Sequence, residues 1–96
     1  MNFTVIASFS VKKENIESFE MALKDLTTAT RQEQGCTQYD VHTSSDTEGS
    51  YFIIEEYLSL ENYLSHRESQ HVQNFRQIAA PLFKKPPVVL RGTKTS

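Results

Sequence analysis

The chain has 96 residues, 12 of them acidic and 10 basic, for a net charge of −2, with a single cysteine. That length holds one domain, spanning residues 1–96, with no internal disulfide and no Cys/His set at zinc spacing. Charges spread along the chain exclude a nucleic-acid footprint and a polybasic membrane patch, and no apolar run approaches the ~18 residues that span a bilayer.

Residues 3–11 alternate, with Phe3, Val5, Ala7, Phe9 and Val11 on one side and Thr4, Ser8 and Ser10 on the other. That period of two predicts a strand with one buried face. Ile16, Phe19, Leu23, Leu26 and Thr30 then recur at helical spacing, which predicts a helix near 14–33. Gly35 suits a left-handed C-cap. Thr37, Tyr39, Val41 and Thr43 predict a second strand over 36–43, and the polar run 44–50 predicts a turn. A third strand over 51–58 is apolar on both faces, with Phe52, Ile54 and Leu58 on one and Tyr51, Ile53 and Tyr57 on the other. Ser59 and Ser69 are candidate N-caps for two helices. The second carries the stripe Val72, Phe75, Ile78/Ala79 and Leu82 and ends at Pro81. Lys84 to Pro87 reads as a stiff connector, Val88 to Leu90 as a short last strand, and 92–96 as frayed.

The order β-α-β-β-α-β is the α+β, ferredoxin-like arrangement with an antiparallel sheet. Right-handed crossovers place both helices on one face of it. Only 38% of the residues are hydrophobic, and a small polar chain without disulfide or metal commonly completes its core with a partner. Ile6, Tyr39 and one side of the third strand are expected to lie uncovered, so a homodimer through the sheet faces is expected. Met1-Asn2-Phe3-Thr4 lacks the basic and apolar blocks of a signal peptide. The expected location is the cytoplasm, with Cys36 reduced.

The run from Glu55 to His71 carries a strand ending Glu55-Glu56-Tyr57, a serine turn, a short helix ending in His66 and a second histidine, His71, opening the next helix. This resembles the centre of the antibiotic biosynthesis monooxygenase (ABM) family. Gly35-Cys36 followed by Tyr39 and Val41, and Thr4 to Ala7 followed by Val11-Lys12, are similar too, so the likeness covers about residues 3–92. The resemblance implies a dimeric α/β-barrel and a pocket between sheet and helices in each subunit. It leaves the chemistry open, because family members oxidise aromatic polyketides or quinols with O₂ without metal or flavin, degrade haem, or process a phosphorylated sugar derivative related to autoinducer-2. Haem-degrading members use an asparagine on the first strand, a tryptophan on the short helix and a histidine ligand on the next. The present chain has no asparagine between Phe3 and Val11, His66 in place of the tryptophan, and Arg76 at the ligand position. Arginine cannot ligate haem iron. Haem chemistry is therefore rejected, and neither cofactor nor metal is expected.

His66 and Glu55 are the candidate catalytic pair, because a neutral imidazole and a half-buried carboxylate can exchange protons near neutral pH. Tyr57, His71, Phe52, Phe75 and Arg76 are the candidate substrate-binding residues. The bland alternatives are a helix-capping His66, a solvated His71, and a Glu55 paired with Arg31, Arg67 or Arg76. Cys36 reads as structural, and His42 as solvated near the hairpin. The glycines are isolated, so no loop cradles a phosphate. Lys84, Lys85 and Arg91 could touch an anionic substrate. The favoured function is cofactor-independent oxygenation of a small phenol or quinol. The alternatives are an isomerase or degradative enzyme for a small phosphorylated signalling metabolite, and a non-catalytic ligand-binding dimer.

Overall fold

The computed structural model describes residues 2–96. In chain order the elements are β1 (Phe3–Val11), a 3-10 turn, α1 (Ile16–Thr30), β2 (Cys36–Thr43), β3 (Ser50–Tyr57), α2 (Leu60–Glu68), α3 (Gln70–Ala79), a second 3-10 turn and β4 (Phe83–Thr93). Among the described residues the strands form one antiparallel sheet in the order β2-β3-β1-β4. This is the expected ferredoxin-like fold. No helix of the described residues is long and apolar enough to cross a membrane.

Strand parity decides what the helices cover. Val5, Ala7 and Val11 of β1 are buried, as are Tyr51, Ile53, Glu55 and Tyr57 of β3. Phe19, Leu23 and Leu26 of α1 and Val72, Phe75 and Ala79 of α3 pack onto that face. Phe19 centres the packing, with ring centroids 4.9 Å from Tyr51, 5.6 Å from Phe9 and 5.9 Å from Phe75. The opposite face is open. There Ile6, Val88 and Leu90 remain 39%, 55% and 63% exposed.

Tight corners hold the elements in place. Gly49 has φ +83°, and a Cβ there would stand 2.5 Å from the Val11 carbonyl oxygen, so the hairpin end needs glycine. Ser59 and Ser69 both act as N-caps, accepting from the Asn62 and Val72 amides.

Four expectations are corrected. Gly35 is not a left-handed cap, because Gly49 alone has a positive φ among the described residues. Its place is forced by the Asn62 side chain, which occupies the space a Cβ would need. The supposed connector 84–87 belongs to β4, which runs to Thr93. Pro86 and Pro87 are tolerated there because β4 is an edge strand. Tyr39 does not lie on the open face. It pairs opposite Glu55 and is 4% exposed, so it points toward the helices. His42 is not simply solvated, since its ring stacks on Phe52 at 4.6 Å.

Candidate active site

Inward parity on β3 places a carboxylate where its neighbours are apolar. Glu55 sits between Val5 of β1 and Tyr39 of β2 and is 4% exposed. The Tyr57 hydroxyl donates to Glu55 Oε1 at 2.7 Å. Burial pushes the Glu55 carboxyl up to about 7, and the Glu33 charge adds to this, while the Tyr57 hydrogen bond and Arg91 oppose it. Both Tyr57 and Tyr39 are held well above the usual phenol range, chiefly by burial.

Helix α2 brings His66 down onto this carboxylate. Its buried residues Tyr63 and His66 are one turn apart and face the sheet. The Ser69 hydroxyl donates to the His66 carbonyl at 2.6 Å and accepts from the Val72 amide, which turns the chain into α3. His66 Nε2 lies 4.0 Å from Glu55 Oε1. Its Nδ1 donates to Glu33 Oε2 at 2.8 Å, and His71 Nε2 donates to the same oxygen at 2.6 Å. A carboxylate only accepts, so the His66 proton resides on Nδ1 and the Nε2 lone pair is free. Burial lowers the His66 pKa, against the partial opposition of Glu33. Burial thereby favours the neutral imidazole.

His66 and Glu55 both line a cavity of about 650 Å³. Its body is apolar, with Phe9, Leu26, Ile53, Phe75, Phe83 and Val89 in the wall. Arg76, Lys84 and Lys85 also line it and are exposed, which sets them at the mouth. An imidazole and a carboxyl raised to about 7 thus face an apolar chamber of ligand size.

Of the expected site residues, the structure brings His66, Glu55, Phe75 and Arg76 to this cavity. Tyr57 lies behind Glu55 rather than in the wall. His71 is outside the cavity lining and is held by Glu33. Phe52 is misplaced, because it is adjacent to Ile53 and so points to the open face. Glu55 makes no ion pair with Arg31, Arg67 or Arg76 among the described residues, and Arg31 instead donates to the Tyr39 carbonyl at 2.9 Å. Burial raises the Cys36 thiol to about 11, consistent with a structural role. The sequence reading missed Glu33. The available signal was a carboxylate just past the C-terminus of α1, where the helix dipole disfavours negative charge.

The profile of a family described as "Antibiotic biosynthesis monooxygenase", ABM, matches residues 2–78. The chain belongs to the ABM family. This ABM chain is 33% identical over 85 residues to a Mycobacterium tuberculosis protein named "Putative monooxygenase Rv0793", covering 88% of the chain and 83% of that protein. The solved structure of Rv0793 superposes with a TM-score of 0.94 over 100% of this chain and 97% of that one, at 29% identity. A conserved protein from Methanosarcina mazei shares the ABM chain's fold, with a TM-score of 0.95 at 22% identity over 99% of this chain and 94% of that one.

Proposed function

We propose that this ABM protein is a monooxygenase that oxidises a small, flat phenol or quinol with O₂, using His66 as the base and no metal or flavin in the reaction. The carrying observation is that His66 and Glu55 share the wall of one apolar cavity, 4.0 Å apart. His66 Nε2 takes a proton from the substrate, and the resulting electron-rich carbanion gives its electrons to O₂. A carbon–oxygen bond forms, and the second proton completes a hydroperoxide. Loss of water then leaves a carbonyl. A CH₂ carbon, or its phenol tautomer, plus O₂ becomes C=O plus H₂O, so the substrate supplies all the electrons. Glu55, near half-protonation at neutral pH, returns the proton. Apolar walls orient the ring and exclude water.

An oxygen electrode with a panel of phenols and quinols tests this reading. Turnover is expected with at least one, with one atom of ¹⁸O₂ in the product. His66→Ala is expected to remove ~99% or more of it, the usual share of a general base. Uptake that is unchanged in His66→Ala contradicts the mechanism.

The cations at the cavity mouth favour a second reading: isomerisation or breakdown of a small phosphorylated metabolite by the same acid–base pair. Arg76, Lys84 and Lys85 would hold the phosphate. Strong competition by simple alkyl phosphates, with no oxygen uptake, selects this reading. For assembly we propose a homodimer through the open sheet face, supported by the exposed Ile6, Val88 and Leu90, and for location the cytoplasm.

A further inference from the structure

The cluster behind His66 carries more ligating chemistry than proton transfer needs. His66 Nδ1 and His71 Nε2 converge on one carboxylate oxygen, Glu33 Oε2, and the three donor atoms lie within 4.8 Å of one another. They come from three different places in the fold. Glu33 is in the corner after α1, where its amide donates to the Thr30 carbonyl and its carbonyl accepts from the Cys36 amide. His66 lies in the last turn of α2 and His71 in the first turn of α3, across the Ser69 corner. All three backbones are thus fixed.

We propose that Glu33, His66 and His71 form a binding site for a divalent transition metal of the Zn²⁺ class, and that the ion reverses the proton-bearing nitrogen of His66. Two imidazoles and a carboxylate suit such an ion, and three protein donors leave a coordination position for water. Tetrahedral bonds of ~2.0–2.2 Å set neighbouring donors about 3.4 Å apart. The N···O separations of 2.8 and 2.6 Å must therefore open by roughly half an ångström or more. Rotation of the Glu33 carboxylate, 20% exposed, supplies this, and its exposure with that of His71, at 26%, gives the hydrated ion a path in. Arg76 is a nearby cation that opposes the ion, but its side chain is solvent-exposed and screened.

Without metal, the proton sits on Nδ1 and the Nε2 lone pair faces Glu55. An ion on Nδ1 of the neutral ring requires the proton on Nε2. The ring neither gains nor loses a proton, because the N–H moves through solvent from one nitrogen to the other. The loaded site therefore presents a donor to the cavity where the metal-free site presents an acceptor. The metal site shares His66 with the reaction proposed above, but its existence does not depend on that reaction. Only the expected loss of the Nε2 base, and so of turnover, in the loaded protein rests on that reading.

The test uses the full chain without a histidine tag, stripped with chelator and dialysed. It is titrated with ZnCl₂ by calorimetry and with CoCl₂ by visible absorption. One ion per chain is expected, with a Co²⁺ ligand-field band. His71→Ala and Glu33→Gln are each expected to weaken binding on the order of 10-fold or more, with folding checked by circular dichroism. His42→Ala, on the opposite face of the sheet, is expected to leave binding unchanged. In ¹⁵N spectra of the ring nitrogens, Zn²⁺ is expected to move the His66 proton from Nδ1 to Nε2. No saturable binding at micromolar Zn²⁺, or binding that survives the Glu33→Gln/His71→Ala pair, overturns the site. Bound Zn²⁺ with His66 Nε2 still unprotonated overturns the switch. Neither result depends on whether the protein turns over any substrate.

Discussion

Glu55 is a carboxyl raised to about 7 in the fold from an ordinary 4.5, mainly by burial. A group whose folded pKa is raised stabilises the fold fully below its unfolded pKa, and that contribution is lost as pH rises through the folded value. The chelated wild type is therefore expected to lose stability between pH 4.5 and 7, with a slope contribution of at most about 1.4 kcal/mol per pH unit. Denaturant midpoints across this window check it. Glu55→Gln should flatten the dependence, and an equally steep profile in the variant contradicts the assignment. Cys36 makes a simpler case. A thiol at about 11 is almost wholly protonated at pH 8, so iodoacetamide should label it on the order of 100-fold more slowly than free cysteine. Labelling at the free-cysteine rate in the native protein contradicts that.

At the scale of elements, α2 docks where Gly35 leaves room for Asn62. Gly35→Ala should cost on the order of 2–3 kcal/mol by overpacking, seen as a lowered melting temperature. Ser69→Ala should cost ~1 kcal/mol as a lost cap, and it should also loosen the hold of His71 on Glu33, visible as sharper exchange of the His71 ring protons. Much of this layout was legible beforehand. The period of two on β3 put Glu55 and Tyr57 on one face, and the two serines marked both helix starts. Alternation does not say which face a helix will cover, and this is why Tyr39 was assigned to the open side. Placing Phe52 in the site conflicts with the very parity that places Glu55 there. Glu33 follows no periodicity, because it sits in a corner shaped by backbone bonds to Thr30 and Cys36. The 84–87 segment was read through its two prolines, and its pairing with β1 depends on edge position, a tertiary property.

For the whole molecule, the shortage of core anticipated from composition has a location. The helix side of the sheet is packed, and the other side exposes Ile6, Val88 and Leu90. Covering them removes apolar surface at roughly 25 cal/mol per Å², and a second copy presents the same stripe in return. Light scattering is expected to report a dimer, and Ile6→Lys with Leu90→Lys to shift it to monomer without unfolding the chain. A strict monomer of the wild type at micromolar concentration contradicts this. The central claim is that the cavity under α3 is where a substrate meets His66 and Glu55. A crystal structure with a bound quinol or unreactive quinone analogue tests it most directly. The prediction is an aromatic ring among Ile53, Phe75 and Val89, with its oxygen within hydrogen-bond reach of His66 Nε2. A ligand seated elsewhere, or one whose oxygen turns away from both His66 and Glu55, contradicts the account.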